Sequence, residues 1–244
     1  MITQRKLGKY LFYALGEILL IVIGILIALQ INNHNEITIT RAKELVYLRN
    51  INLDLAQSIE SLEAFIATRE DTIKSAEILI EYFDGTRQVD LNDFNRHNLT
   101  VAVWYPFKPH NNTYQELINS GNLALISNIR IRNMLQDMQT GLSTVAFIEN
   151  EMQQDYESYL YDVLFAVTDL DSALKNYELQ MANPDKTPEF EISDTDVESL
   201  LQSQKYKNGI VLSAYNSDLL VVEYTNMAQN SRLLMTLIDQ ELVQ

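Results

Sequence analysis

The sequence predicts an all-α protein with a single N-terminal transmembrane helix, followed by an extracytoplasmic antiparallel bundle of three long helices and several short ones. Three observations support this class. Residues 11–31 are predominantly apolar and contain one charged residue, Glu17. Apolar residues recur at heptad spacing along three later segments. The 244 residues contain only seven glycines and four prolines, fewer than a turn-rich β protein needs.

The apolar run at residues 11–31 has the length of one membrane span, because a hydrocarbon core about 30 Å thick needs roughly 20 helical residues. Its leucine, isoleucine, valine and phenylalanine residues each favour insertion by about 0.3 to 0.6 kcal/mol, and together they outweigh the roughly 3 kcal/mol that Glu17 costs. The run is longer than the apolar core of a cleaved signal peptide, about 7 to 15 residues. We therefore expect an uncleaved signal anchor.

The charges that flank the span predict its orientation. Polar and acidic residues follow the span at positions 32–36, whereas three basic residues precede it: Arg5, Lys6 and Lys9. Basic residues beside a span favour the cytoplasmic side of the membrane. We therefore expect a cytoplasmic tail at residues 1–10 and one helical-bundle domain outside the cytoplasm at residues 32–244.

The first long helix is predicted over about residues 41–83. Ten of the twelve heptad positions there are apolar, and the two exceptions are Asn52 and Arg69. The pair Asp84 and Gly85 ends the helix. A helix of this length reaches roughly 65 Å, and the sequence leaves open whether it is continuous with the membrane helix.

Residues 84–112 lack a helical period and contain the aromatic stretch VWYPFKPHNN, so we predict a loop with a short extended piece at residues 99–104. A short helix is expected to begin at about Thr113. Gly121 is placed as its C-terminal cap, because glycine adopts the left-handed backbone conformation that such caps use.

A second long helix is predicted over about residues 129–168. Ten of its eleven heptad positions are apolar or aromatic, and Glu149 is the exception. Its tyrosines at helical spacing are interpreted as core residues rather than as the lining of a ligand cavity. The stretch MANPDKTPEFEISD that follows contains two prolines and predicts a surface loop.

The C-terminal region is predicted to be helical again. Thr195 and Glu198 match a capping box at its start. The pair Asn208 and Gly209 is expected to break or kink the region, and a third long apolar period covers about residues 210–242.

Three stretches resemble segments of one family of uncharacterised membrane-anchored proteins from Gram-negative Bacteroidetes, classed as a domain of unknown function: KYLFYALGEILLIVIGILIALQINNHNE, TYQELINSGNLALISN and LLMTLIDQEL. The first resembles the family's opening signature, roughly KYxxYAxGEI followed by GILIALQxNNWNE. His34 departs from that signature, since the family usually has a tryptophan there as an interfacial anchor. The resemblance implies a membrane-anchored helical fold with a periplasmic domain at the cell inner membrane, and it implies no activity.

Small residues line one face of the predicted span. Gly16, Gly24 and Ala28 belong to an i+4 series that also contains Leu20, and Glu17 lies beside it. Because such stripes let membrane helices approach closely, we interpret this face as the contact with other copies or with partner subunits. There, Glu17 is expected to be protonated or hydrogen-bonded. Two alternatives stay open: Glu17 carries protons or ions, or it lies close enough to the interface to be hydrated.

Two further groups of residues are candidates for contacts. The first lies at the outer rim of the span and forms either a polar ring in an oligomer or a hydrated helix end: Asn32, Asn33, His34 and Asn35. The second is either an exposed partner patch or a loop folded onto the bundle: Trp104, Tyr105 and Phe107.

Composition and motif content exclude several classes of function. The chain has no cysteine, which excludes disulfides, thiolate catalysis and iron–sulfur clusters. Its net charge of −15 disfavours nucleic acid and anionic lipid surfaces as partners. The sequence contains no nucleophile elbow, phosphate-binding loop or dinucleotide fingerprint, and His97 and His110 are isolated. We therefore expect no enzyme, no cofactor and no metal site.

These observations predict a non-enzymatic, single-pass membrane protein that acts as an oligomeric scaffold or as an accessory subunit of an inner-membrane complex. Two alternatives from other classes remain. One is a periplasmic sensory or ligand-binding helical module with an unknown ligand, although a tail at residues 1–10 cannot hold an output domain. The other is a channel or proton-coupling subunit that uses Glu17.

Overall fold

The structure is a computed structural model that describes residues 4–183 and 193–243, with side chains from residue 13 onward. Within those ranges the chain forms helices joined by short connections, and no strand is present. The predicted all-α class is therefore confirmed. Residues 1–3 of the predicted tail, its basic side chains and residues 184–192 of the predicted surface loop lie outside the described part.

Helix α1 runs without interruption from Gln4 to Phe83. Its 80 residues correspond to about 120 Å at 1.5 Å per residue, so the predicted span and the predicted first long helix are one element. The joining residues 32–40 contain neither glycine nor proline, which explains the continuity. After Phe83 the chain turns at Gly85, whose φ of 68° lies in the left-handed region that favours glycine.

Helix α2, from Leu91 to Ala102, lies where the sequence predicts a loop. The predicted extended piece at residues 99–104 is therefore wrong over its first four residues. Asp90 caps α2, because its carboxylate accepts a hydrogen bond from the backbone N–H of Asp93 at 2.9 Å. The helical period is hidden in the sequence because the buried face mixes polar with apolar residues: Asn95, His97 and Asn98 beside Phe94, Leu99 and Val101.

The next elements return the chain to the start of the bundle and then lead away from it again. Helix α3 spans Asn112–Asn119, a 3-10 turn spans Asn122–Leu125, helix α4 spans Ile129–Asp155, a π-helical turn spans Tyr156–Tyr161, and helix α5 spans Asp162–Val167. Gly121 follows α3 with a φ of 71°, as its predicted role as a cap requires. The side chain of Asn128 caps α4 by accepting a hydrogen bond from the N–H of Arg130 at 3.0 Å.

The last helices are α6 at Leu170–Ala182, α7 at Asp194–Leu201 and α8 at Gln204–Leu242. Two predictions are wrong here. The cap of α7 is Ser193 rather than Thr195, since the Ser193 hydroxyl accepts from the N–H of Asp196. Helix α8 passes through Gly209 without a break. A Cβ at Gly209 would lie 2.7 Å from Cδ2 of Leu160, so the glycine allows α8 to pack against the π-helical turn.

Three continuous rods form most of the bundle: the second half of α1, α4 with α5, and α8. Helix α8 runs antiparallel to the other two, as side-chain pairs at both ends show. At the end where α1 enters, which we call the base, Asn52 pairs with Asp239 at 2.6 Å and Asn128 with Glu241 at 2.8 Å; at the far end, Lys207 pairs with Asp84 and Asn216 with Asp155.

The fourth rod of the bundle consists of short segments instead of one continuous helix. Residues 91–127 run back along α1 as α2, an extended stretch at 103–111, α3 and the 3-10 turn. Pairs between this segment and α1 follow in reverse order along the helix: Tyr82 with Asp93, Arg69 with Tyr105, Ser58 with His110, Asp54 with Thr113, and Glu44 with Ser127. The bundle therefore has an up-down-up-down arrangement in which one rod is broken into short pieces.

Candidate functional site

The first part of α1 lies outside the bundle. Every side chain from Tyr13 to Ile39 is exposed, and most are large and apolar up to Ile31. An 18-residue window there has a mean hydropathy of 2.6, and none of it is buried. Within the described residues, this is one helix whose length and composition allow it to cross a membrane.

The predicted contact stripe lies on the open surface of this segment. All of its members are exposed: Gly16, Glu17, Leu20, Gly24 and Ala28. A Cβ built at Gly16 or Gly24 would meet no other atom within 4 Å. The face is therefore free for a second helix to approach closely.

The polar residues that follow the predicted span encircle α1 instead of sharing one side. Consecutive helical residues point about 100° apart, and the four predicted rim residues are consecutive and exposed: Asn32, Asn33, His34 and Asn35. The carbonyl of His34 accepts a hydrogen bond from the hydroxyl of Thr38 at 2.9 Å. Asn32 and Asn35, four and seven residues after Ala28, lie on the face of the stripe.

A polar cluster fastens α1 to the bundle at the base, and we call it the base clasp: Arg41, Glu44, Ser127, Asn128 and Glu241. The Arg41 guanidinium lies 2.7 Å from the Glu44 carboxylate and 2.9 Å from the Glu241 carboxylate. Ser127 donates to Glu44 from its backbone N–H at 2.6 Å and from its hydroxyl at 2.7 Å. The base clasp thus joins α1 to the start of α4 and to the end of α8.

Electrostatics favour the ionised form of the base clasp. Burial would by itself raise the pKa of Glu44, but hydrogen bonds from Arg41 and Ser127 outweigh it, and the pKa is lowered. The hydrogen bond to Glu44 likewise raises the pKa of Arg41. Because Glu44 is only 2% exposed, loss of Arg41 would leave a buried carboxylate without its counter-charge.

A second cluster lies in the middle of the bundle, and we call it the central polar cluster: Arg69, Tyr105, Phe107, Glu149 and Tyr224. The buried Glu149 carboxylate accepts hydrogen bonds from the N–H of Phe107 at 2.8 Å and from the hydroxyl of Tyr224 at 2.6 Å. The buried Arg69 donates to the carbonyl of Tyr105 at 3.2 Å. Burial and then the bond to Glu149 raise the pKa of Tyr224, so its phenol remains a donor.

The central polar cluster fixes the extended stretch at 103–111 between α1, α4 and α8. This stretch includes the predicted partner patch, whose three members are separated. Phe107 is buried in the core and packs edge-to-face on Phe65 at 5.3 Å, so it is not part of an exposed patch. Trp104 is partly buried against the core, and the exposed Tyr105 also contacts Phe65. Of the two interpretations, the loop folded onto the bundle is the one observed.

Most of the predicted contact stripe and most of both clusters lie in a segment that a known family matches. The family described as "Family of unknown function (DUF6090)" matches residues 17–177, about two thirds of the chain. This chain belongs to that family. The DUF6090 match begins at Glu17 and ends within α6, so α7 and α8 lie beyond it. No curated protein and no solved structure matches the chain.

Sequence reasoning does not select Arg69 or Glu149, although a signal for both is present. Each is a charged exception in an otherwise apolar heptad series, Arg69 in α1 and Glu149 in α4. A charge at a core position has to find a partner, and the family segment that carries these two residues folds so that the stretch between them supplies backbone groups as partners. The base clasp has no such signal, since Glu44 and Ser127 are far apart in sequence.

The two loop histidines of the sequence have separate surroundings. His97 is buried in α2, where one ring nitrogen lies 3.0 Å from the hydroxyl of Ser75 and the other 2.8 Å from the guanidinium of Arg96. The carbonyl of His110 accepts a hydrogen bond from Ser58, and the residue lines a cavity of about 40 Å³ beside Asp54. Over the described ranges, no group of three or more His, Asp or Glu side chains is placed to hold a metal ion.

Proposed function

We propose that this DUF6090 protein is a non-enzymatic, single-pass inner-membrane protein that acts as an oligomeric scaffold or as an accessory subunit of a membrane complex. The exposed apolar part of α1 spans the membrane, residues 1–10 form a cytoplasmic tail, and the bundle lies in the periplasm. The continuity of α1 carries this proposal. One helix supplies both the apolar segment and the longest rod of the bundle.

The base clasp supports a scaffolding role because it holds the bundle at a short distance from the membrane. Arg41 follows Ile31, the last residue of the predicted span, by ten residues, which corresponds to about 15 Å of helix. Its ion pairs join α1 to the ends of α4 and α8. A bundle fastened in this way presents its surface to neighbouring subunits at a constant height and orientation.

The open stripe supports assembly within the membrane. Lipid tails are as apolar as leucine side chains, so membrane helices associate chiefly through close packing and hydrogen bonds. Gly16 and Gly24 remove side-chain bulk from one face, and Glu17 lies beside them. A neighbouring helix on that face would provide both the close contact and a hydrogen-bond partner for the Glu17 carboxyl group.

A ligand-sensing role has less support at the cavity that His110 and Asp54 line. The cavity beside His110 and Asp54 measures about 40 Å³. Sites for small metabolites measure roughly 300 to 1,000 Å³. A cavity of the observed size holds water rather than a metabolite.

Native mass spectrometry of the full-length protein, extracted gently from its own membrane, tests the proposed assembly. The expected result is a defined multimer of this chain, or this chain at a fixed ratio with other subunits. Gly24→Leu adds bulk to the stripe and is expected to dissociate that assembly. Val22→Leu lies on the opposite face of α1 and serves as the matched control. Monomers in the wild-type sample would overturn the proposal.

Labelling of single cysteines tests the topology, and the chain contains no natural cysteine to interfere. Thr3→Cys places a thiol in the tail and Glu60→Cys places one on the exposed side of the bundle. With a maleimide that does not cross the inner membrane, we expect labelling of Glu60→Cys in intact cells and of Thr3→Cys only after lysis. The reverse pattern would contradict the orientation.

A further inference from the structure

Helix α1 exposes large apolar side chains well beyond the predicted span. Ile39, Val46 and Leu53 are 49%, 53% and 65% exposed. All three belong to the part of α1 outside the apolar run, and Val46 and Leu53 lie beyond the base clasp. Exposed apolar side chains arranged in a row on a soluble domain mark a contact with another molecule.

These residues repeat with the period of the predicted contact stripe. Glu17, Ala28, Ile39 and Asn50 follow one another at intervals of eleven residues, and two further series interleave with them. Together they form a line that we call the α1 seam: Glu17, Leu20, Gly24, Ala28, Ile31, Asn35, Ile39, Ala42, Val46, Asn50 and Leu53. An eleven-residue repeat has about 3.67 residues per turn, so it stays on one face of a nearly straight helix.

The α1 seam lies on the side of the helix opposite the bundle core. Val46 and Leu48 are two residues apart, as are Leu53 and Leu55, which corresponds to about 200° around the helix. Leu48 and Leu55 are buried in the core, whereas all members of the α1 seam are exposed. The bundle therefore leaves the whole seam uncovered from the membrane to Leu53.

Lipid cannot cover the outer part of the α1 seam. Val46 lies 15 residues after Ile31 and Leu53 lies 22 residues after it, which places them about 22 Å and 33 Å farther along the helix. The headgroup layer adds only about 5 to 8 Å on each side of the hydrocarbon core. A molecule that covers these residues is therefore a protein rather than lipid.

The charge pattern of the α1 seam fits a second copy of the same chain. The chain has a net charge of −15, yet the ten members of the seam that follow Glu17 are all uncharged. Two copies can therefore approach along this line without repulsion between like charges. Copies inserted in one membrane with the same orientation pair in parallel, so a two-fold axis places each residue opposite its own counterpart. Asn35 and Asn50 then meet the same amide, a pairing that specifies register in parallel coiled coils.

We propose that two copies of this chain pair in parallel along the α1 seam, from Glu17 inside the membrane to Leu53 beside the bundle. This pairing rests on the proposed oligomeric role and names its partner. Its length is about 54 Å of helix, of which the part after Ile31 lies outside the hydrocarbon. The dimer contact thus continues from the membrane span into the domain, and both bundles face outward from it.

Oxidative cross-linking of single-cysteine variants of the full-length protein in native membranes tests the pairing. Val46→Cys and Leu53→Cys report on the outer seam, and Gly24→Cys reports on the span. Leu233→Cys is the matched control, because Leu233 is 59% exposed and belongs to α8 rather than to α1. We expect the outer-seam variants to form a disulfide-linked dimer at least ten-fold faster than Leu233→Cys, and Gly24→Cys to do the same.

Each other outcome identifies the claim that fails. Cross-linking of Gly24→Cys without that of Val46→Cys and Leu53→Cys would overturn the outer seam and leave the proposed oligomer intact. Cross-linking of the outer variants alone would support the contact outside the membrane and overturn its continuation into the span. Absence of cross-linking at all three positions would overturn the pairing and the multimer of this chain, and would leave the fixed-ratio complex with other subunits as the remaining form of the proposed role. A cross-linked product with a mass other than twice that of the chain would overturn the second copy as the partner.

Discussion

The two halves of α1 have different surroundings although they belong to one helix. From Tyr13 to Ile39 every side chain is exposed, whereas from Glu44 to Leu62 every third or fourth residue is buried, as at Leu48 and Ile51. The first half is apolar on nearly all sides, and the second is apolar chiefly on the face toward α8. Helix continuity therefore follows from the local sequence, while the surroundings of a helix follow from how apolar residues are distributed around it.

The largest effect is expected when a leucine is replaced by alanine in each half of α1 and the two losses of stability are compared. Leu48→Ala removes a fully buried side chain and is expected to lower the free energy of unfolding of the bundle by about 3 to 4 kcal/mol. Leu26→Ala changes a side chain that is 59% exposed on the first half, and we expect no change in bundle stability. Urea unfolding in detergent, followed by circular dichroism, measures both. Equal losses would mean that the first half is packed against the bundle.

Removal of the base clasp tests the boundary between the halves. Glu44→Ala leaves Arg41 and the N–H of Ser127 without their shared acceptor and is expected to cost about 2 to 3 kcal/mol. Glu36→Ala, on the exposed side of that boundary, is the control and is expected to change stability by less than about 0.5 kcal/mol. The same unfolding measurement applies. A neutral result for Glu44→Ala would contradict the role of the base clasp.

Replacement of three glycines by alanine tests the same difference in surroundings, with smaller expected changes in stability. A Cβ at Gly209 meets Leu160 at 2.7 Å, so Gly209→Ala is expected to destabilise the bundle by about 1 to 3 kcal/mol. At Gly141 the nearest atom is Cγ of Met227 at 3.6 Å, so Gly141→Ala is expected to stabilise it by up to about 1 kcal/mol. Gly24→Ala is expected to leave bundle unfolding unchanged, since nothing lies within 4 Å. Thermal unfolding ranks the three variants, and any other order would contradict the packing around Gly209.

The smallest expected effect is a pH dependence of the stability of the bundle. Burial, and then the charge of Arg96, lower the pKa of His97 below its ordinary value of 6.5. Because the unfolded chain then binds a proton that the folded chain does not, stability is full above pH 6.5 and falls as the pH decreases from 6.5 toward the lowered pKa. The slope is at most about 1.4 kcal/mol per pH unit.

Unfolding experiments between pH 5 and 7 measure this slope, and His97→Gln provides the control. The variant is expected to be less stable at every pH but to lose the His97 contribution to the slope. Glu44 and Asp93, whose pKa values are lowered, act in a separate window: their contribution is present above about pH 4.5 and is lost at lower pH. A slope that persists unchanged in His97→Gln would contradict this assignment.

The sequence predicts the parts of the fold that depend on apolar period. The heptad series that ends at Phe83 ends where α1 ends, and the series from Ile131 lies in α4 and its continuation through the π-helical turn. Helix α2 is not predicted from the sequence, because Asn95, His97 and Asn98 face the interior and interrupt the apolar period. Their polarity is compensated by partners distant in sequence, such as Tyr206, whose hydroxyl donates to Asn98 at 2.6 Å.

Some of the candidate sites can likewise be predicted from the sequence, and others cannot. The predicted contact stripe is visible from spacing alone, because residues at i+4 steps share a face of a helix. The base clasp and the central polar cluster depend on pairs such as Arg41 with Glu241, which only the folded chain brings together. The low helix propensity of glycine predicts a break or kink at Gly209, yet the close approach of α8 to Leu160 is what requires the glycine.

The distance between spin labels in the two halves of α1 tests the central claim, that one rigid helix runs from the membrane into the bundle. Leu26→Cys and Ala56→Cys lie 30 residues apart on exposed positions, which corresponds to about 45 Å along an unbroken helix. Labelled protein, diluted with unlabelled protein in lipid bilayers to suppress signals between copies, is expected to give one narrow distribution near that distance. A broad distribution, or one centred well below it, would show a hinge between the halves and contradict the account.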